Sequence, residues 1–319
     1  MAGVKFGLIV PQGWRLDLPN VDARQQFKMV SDTALFAEKL GFQSVWLYDH
    51  FLTYPQVRET SCFDSWTTLT ALAPMTKKAR LGTIVTCSSY RQPALLAKMS
   101  SVLDVVSGGR LELGIGAGWY EQEYRAYGYQ FPSDADRVRM LDESLTIIRE
   151  MWTKGTSTFA GKYYSTSNAM NYPRPVQKPH PPITVGGGGE RLMLRVVAKH
   201  ADRWNGQGDV ETFRRKLDVL KKHCDEVGRK PEKIEKTYWG LVSVDGNKEK
   251  AVERAKKMPT GATFDQFMAR NAVGTPQDIA AFYNRYVDIG ITYFIVYVND
   301  AVGLRSLRLF AEEVIPRVE

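Results

Sequence analysis

Short runs rich in β-branched residues alternate eight times with longer stretches in which apolar residues recur every three or four positions. That alternation admits few solutions, because a strand followed by a crossover helix returns as a parallel neighbour, and eight such units close into a barrel. The strands are expected at KFGLIVP from Lys5, SVWLYDH from Ser44, ARLGTIVT from Ala79, RLELGIGAG from Arg110, PITVGGG from Pro182, RWNGQG from Arg203, IEKTYWGLVSV from Ile234 and ITYFIVYV from Ile291. The intervening FKMVSDTALFAEKLG reads as a helix ending at Gly41, where glycine takes the left-handed terminal position. The fold expected is α/β, a (β/α)₈ TIM barrel with insertions. No repeat or linker divides the 319 residues, so one domain over 1–319 is expected.

Three connections exceed what a plain barrel needs: Trp119 to Arg137, Gly155 to Pro181, and Asp245 to Thr275 with its helical NKEKAVERAKKM. Loops after strand C-termini build barrel active sites, so the first and third are candidate lids or pocket walls. The second follows a helix and reads as packing or an interface.

Composition narrows the function. The net charge of +8 is spread along the chain and interleaved with acids, as in KLDVLKKHCDEVGRKPEK, the pattern of a solvated helix face and not of a nucleic-acid surface. A basic protein with a concave site still steers anionic small molecules toward it. No uncharged apolar run approaches the roughly 18 residues of a membrane helix, and the start before Pro11 is too short for a signal peptide. Cys62, Cys87 and Cys224 are odd in number and widely spaced, which suits a reducing compartment. A cytoplasmic protein with a small-molecule substrate, and with no nucleic-acid or membrane partner, is expected.

The second strand ends in Asp49-His50, at the face where barrel enzymes place catalytic groups. A histidine there can exchange a proton while hydride moves, and the adjacent carboxylate can orient a ring or hold charge. The plainer reading makes Asp49 a loop cap and His50 a structural donor. His180, His200 and His223 lack metal-ligand spacing, and no metal is expected. The fourth strand runs into Gly114 to Trp119, GIGAGW, and the fifth into Gly186 to Glu190, GGGGE, before a helical stretch. Bare N–H groups at a helix N-terminus form a phosphate cradle, although strand-end glycines also simply permit tight turns. Neither run is a Walker loop or a dinucleotide fingerprint. The charge of Glu190 argues against a dianion directly beside it.

The strings FGLIVPQGWRLDL, SVWLYDHF, RLGTIVTC with YRQPALLAKM, LDVVSGGRLELGIGAGWYEQEYRAYGYQFP and ITVGGGGE with LRVVAKHAD resemble the luciferase-like flavin and deazaflavin oxidoreductases. The resemblance is closest to a subfamily of coenzyme F420-dependent oxidoreductases. It covers roughly the first 210 residues, with VGTPQDIAAF from Val273 a looser match. It implies a deazaflavin across the C-terminal mouth of the barrel, with Asp49 and His50 beside the reactive ring. It also implies a non-prolyl cis peptide at Ile84-Val85 against the middle of that ring, with Thr86 close by. Gly116, Gly118, Trp119 and Tyr120 would border the ring or its side chain, and Gly186, Gly187, Gly188 and Gly189, with Glu190 following, would meet the phosphate.

The sugar-phosphate dehydrogenases of this class carry a glutamate where this chain has Trp119, which argues against a glucose 6-phosphate activity. Trp119, Tyr120 and Trp14 suggest a more apolar pocket, or else plain packing at strand ends. Barrels of this class are dimers more often than monomers, so a homodimer is implied. Two alternatives share the fold: an FMN-dependent two-component monooxygenase, and a non-catalytic deazaflavin-binding protein.

Overall fold

A computed structural model describes residues 3–258 and 263–319. Eight parallel strands close on themselves: β1 Lys5–Ile9, β2 Ser44–Leu47, β3 Arg80–Thr83, β4 Leu111–Gly116, β5 Ile183–Gly186, β6 Arg203–Gly206, β7 Glu235–Val244 and β8 Tyr293–Val298. Each pairs with its sequence neighbour, and β8 pairs with β1, so the (β/α)₈ barrel is complete. All eight expected strands are present. Two short strands are added to the barrel, Thr86–Cys87 beside β4 and Ala272–Gly274 beside β7. Among the described residues no helix is long and apolar enough to cross a membrane.

Helices α1 Ala23–Lys39, α2 Ser65–Met75, α3 Pro93–Val106, α4 Asp134–Lys154, α5 Met193–His200, α6 Val210–Glu226 and α7 Pro276–Val287 follow seven of the strands. Asp22 caps α1 through the N–H groups of Arg24 and Gln25, and Gly41 at φ +89° follows its end, as the sequence pattern requires.

The period of two along each strand sorts side chains between two cores. Phe6, Leu8, Val45, Leu47, Phe294 and Val296 point outward into the layer between strands and helices. Ile9, Trp46, Tyr48, Trp239, Tyr293, Ile295 and Tyr297 point into the bore. Trp46 fills the bore so closely that any side chain at Gly82 of β3 would collide with its indole. The indole N–H donates to Ser44 Oγ at 2.6 Å, and that oxygen lies 2.7 Å from the Tyr293 hydroxyl. The barrel is therefore plugged below Tyr48, and the open volume sits at the C-terminal mouth.

The three long connections separate. Residues 119–137 hold a short helix, Glu121–Ala126, that overhangs the mouth. Residues 155–181 form an antiparallel hairpin, Thr156–Ala160 with Ser165–Met170, packed on α4 and away from the mouth. Among its described residues the third, 245–275, contributes Arg254, Lys257 and Met258 to a neighbouring cavity and none to the one lined by His50. Residues 259–262 of that connection lie outside the described residues.

Candidate active site

A cavity of about 550 Å³ opens at the mouth, within the size range of small-molecule sites. Of the residues expected from sequence it brings together Asp49, His50, Ile84, Val85, Gly116, Gly118, Trp119, Gly186, Gly187 and Gly188. The Ile84–Val85 peptide bond is cis.

Four expected residues lie elsewhere, each for a local reason. Thr86 is wholly buried behind the wall, where its hydroxyl bonds Thr83 Oγ at 2.8 Å and receives the Trp66 indole N–H at 3.2 Å. Tyr120 packs under Trp119 with ring centroids 5.2 Å apart. Gly189 turns its carbonyl to the N–H of Leu194, and the Glu190 carboxylate turns away to pair with Arg215 at 2.9 Å. The repulsion expected of Glu190 is thus answered by a neighbouring cation.

His50 is held from two sides. Its ring stacks on Trp14 with centroids 4.3 Å apart and planes 5° from parallel. Its Nδ1 lies 2.9 Å from Glu123 Oε2, on the overhanging helix. Glu123 is fully buried and also accepts the N–H groups of Phe51 and Leu52 at 2.5 and 2.8 Å and the Tyr90 hydroxyl at 2.6 Å. Burial pushes the Glu123 carboxyl upward, but the donors from His50, Tyr90 and Leu52 outweigh it and hold the group below the ordinary carboxylate value. An ionised carboxylate only accepts, so Nδ1 carries hydrogen, and Nε2 on the opposite edge is the nitrogen left to exchange a proton with the cavity.

Asp49, expected to orient a ring or hold charge beside His50, or else to cap the loop, has both its oxygens engaged by the protein. Arg91 grips it bidentately at 2.7 and 3.0 Å, Ser65 Oγ donates to Oδ1 at 2.8 Å, and the Cys87 N–H donates to Oδ2 at 3.0 Å. Both oxygens are fully subscribed, so Asp49 ties the end of β2 to the Thr86–Cys87 strand and to the loop before α3.

Opposite His50 the wall is bare backbone. A Cβ at Gly116 or Gly186 would lie 2.7 or 2.8 Å from the methyls of Val85, so only glycine lets Val85 sit between these strand ends. Beyond it, Gly187 and Gly188 lead toward the N-terminus of α5, and the Lys216 ammonium of α6 occupies the space where a Gly188 side chain would be. Here the charge-run reading needs correcting: Lys216 heads KLDVLKKHCDEVGRKPEK, yet it lines the cavity. Trp119 is 54% exposed and stands edge-on to His50 at 5.8 Å, which makes it a lip over the cavity and not core packing. Among the described residues no group of three or more His, Cys, Asp or Glu could hold a metal ion.

Sequence reasoning missed Glu123, Arg91 and Lys216. Glu123 and Arg91 fall inside strings already noted for their family likeness, but among the polar neighbours Glu121, Gln122 and Arg125, and Ser89 and Gln92, nothing local marked them. Lys216 is hidden in a face of like residues.

A family model described as luciferase-like monooxygenase matches residues 5–286. An F420-dependent glucose-6-phosphate dehydrogenase of Amycolatopsis mediterranei (strain U-32) is 28% identical, covering 89% of this chain and 92% of its own. Two solved structures superpose over 99% of each chain. One is an F420-dependent secondary alcohol dehydrogenase in complex with an F420-acetone adduct, with a TM-score of 0.84 and 23% identity. The other is the oxygenating constituent of 3,6-diketocamphane monooxygenase from the CAM plasmid of Pseudomonas putida, in complex with FMN, with a TM-score of 0.78 and 20% identity. At these identities the structural likeness bears on the fold alone.

Proposed function

The chain belongs to the luciferase-like monooxygenase family, and from that premise we propose that it is a coenzyme F420-dependent oxidoreductase. The carrying observation is the pairing of an oriented His50 with a glycine-walled cavity that has a lysine at one end. The relatives named as F420-dependent, alike over about nine-tenths of the chain, support a deazaflavin over a flavin.

The residues present fit such a group. Val85, seated against Gly116 and Gly186, and the cis bond before it face a cavity of about 550 Å³ in which a flat ring can lie. The N–H of Gly188, the first turn of α5 and Lys216 would hold its phosphate, the Gly187 N–H being given to the Asn205 carbonyl. When bound, the deazaflavin supplies a hydride carrier that does not readily activate oxygen. The protein's part is to exclude water beneath Trp119 and to take or give a proton at His50 Nε2.

The substrate we propose is a small, largely apolar molecule and not a sugar phosphate. Trp14, Trp119 and Trp239 line the cavity with His50, and among the described lining residues Lys216, at the phosphate end, is the one lysine or arginine. Anaerobic oxidation of reduced F420 across a panel of small alcohols, ketones and enones tests the reading; no turnover with any of them counts against it. The competing reading, an FMN-dependent monooxygenase, has the family's description in its favour and requires oxygen uptake with reduced FMN.

The second partner we propose is another copy of the chain. Leu95, Met99, Val102 and Val106 form one stripe along α3, and Leu95, Val102 and Val106 are exposed on it. Light scattering reads the dimer, and Leu95→Asp with Val102→Asp should give a monomer. All three cysteines are free, in keeping with a cytoplasmic setting.

A further inference from the structure

The loop after β1 is tied to the end of β2. Gln12 is wholly buried, and its side chain accepts the Tyr48 N–H at 2.6 Å while donating to the carbonyls of Tyr48 and Phe63 at 2.9 and 2.8 Å. Two residues on, the Trp14 carbonyl accepts the Tyr54 N–H at 2.7 Å. These bonds flank both Trp14 and His50, so the indole and the imidazole meet in a fixed stack, 4.3 Å between centroids and 5° from parallel.

The stack is more than packing because one of its rings changes charge. Nδ1 of His50 already gives its hydrogen to Glu123, so proton uptake at Nε2 makes an imidazolium. An indole face attracts a cation within about 6 Å more strongly than any other aromatic side chain, and the attraction grows where water is excluded. Trp14 is only 5% exposed. A neutral imidazole gains nothing comparable, so the stack favours the protonated ring.

Few other groups face this histidine. Glu123 takes Nδ1, and the Tyr90 hydroxyl shares that carboxylate. Asp49, next in the chain, is paired with Arg91, which also reaches Asp64. The Cys62 thiol lies 3.4 Å from the His50 carbonyl, and burial keeps it protonated. Trp119 and Tyr120 meet the imidazole at 73° and 68°, which leaves Trp14 as the parallel ring. The Arg15 guanidinium lies 5.5 Å from the Trp14 centroid and opposes a second cation there, so it has to stay in place in every protein compared.

We infer that Trp14 is a positioning residue whose indole face stabilises the protonated form of His50. It makes Nε2 a readier proton acceptor and keeps the ring charged to higher pH. The proposed function gives that charge its use, and the inference rests on it in this respect alone, since the stack needs no cofactor.

Titration of the histidine ring signals by NMR tests it without turnover. The chain has four histidines, and the His50 Cε1–H signal is the one lost in His50→Asn. In the cofactor-free protein Trp14→Leu should move the midpoint of that signal down by about half a pH unit or more. Trp14→Phe, which keeps a weaker face, should move it by a smaller amount in the same direction. Both variants keep the position apolar, and unchanged titration of the other three histidines reports an intact fold. With F420 bound, the pH profile of anaerobic hydride transfer should move with the signal. An equal midpoint in all three proteins, a rise in Trp14→Leu, or a phenylalanine shift as large as the leucine one would overturn the inference. So would a profile that stays in place while the signal moves. Should Trp14→Leu fail to fold, Trp14→Phe decides alone, and its midpoint has to lie below that of the wild type. If the protein bound no F420 but the graded shift remained, the proposed function would fail and the role of Trp14 toward His50 would stand.

Discussion

Nδ1 of His50 lies 2.9 Å from Oε2 of Glu123, a buried carboxylate that the chain reaches 73 residues later. The contact fixes which nitrogen carries hydrogen and which edge of the ring is offered to the cavity. His50→Ala should therefore keep cofactor affinity within several-fold while lowering hydride transfer at least about a hundredfold, the scale of a lost proton-transfer group. Glu123→Gln should lower transfer about tenfold or more at unchanged affinity, because an amide can donate to Nδ1 and present the wrong tautomer. Anaerobic single-turnover absorbance measures both, and unaltered transfer in His50→Ala would remove this histidine from the chemistry.

The same carboxylate ties stability to pH. Its folded-state value lies below the ordinary 4.5, despite burial, because His50, Tyr90 and Leu52 donate to the ionised form. A depressed carboxylate contributes stability that is complete above its unfolded value and disappears as pH falls through the folded one. The melting temperature of the wild type should thus drop as pH falls below about 4.5, and that limb should be shallower in Glu123→Gln. Equal slopes for the two proteins would contradict the assignment.

Asp49 should behave as structure and not as a reagent. Asp49→Ala leaves the buried Arg91 guanidinium with Asp64 alone, at 3.1 Å, so the loss should be at least about 1 kcal/mol and no more than the roughly 3 to 5 kcal/mol of a buried pair broken on one side. Urea denaturation would register it. A loss below about 1 kcal/mol, the range of an exposed ion pair, would mean that the pair is not what holds this end of β2.

The barrel could be read from the chain because strand and helix periods are local: eight β-branched runs, Gly41 behind α1, and the Asp49-His50 step at a strand end all declare themselves within a few residues. The polar connections could not. Glu123 meets His50 across 73 positions and Arg91 meets Asp49 across 42, and nothing local distinguishes a buried acid or base from an exposed one. Lys216 illustrates the same limit from the other side. A lysine on a charged helix face is indistinguishable from its neighbours until tertiary packing places one of them against Gly188. Thr86 and Glu190 show the converse, sitting one and two residues from the cavity residues Val85 and Gly188 while their side chains turn to Thr83 and Arg215.

Lys216 gives the cradle its charge, and burial lowers its ammonium somewhat from the usual lysine value. Lys216→Met should weaken F420 about tenfold or more, as expected for a lost charge-assisted hydrogen bond, and should flatten the dependence of affinity on salt. Fluorescence titration at two ionic strengths checks both parts. Unchanged affinity would move the phosphate away from Gly188.

The decisive measurement is a choice offered to the purified protein: equal concentrations of coenzyme F420 and FMN, followed by removal of free ligand and an absorbance spectrum of what remains bound. The account predicts retained deazaflavin in near-stoichiometric amount with FMN largely lost. Retention of FMN instead, or of neither, would contradict it.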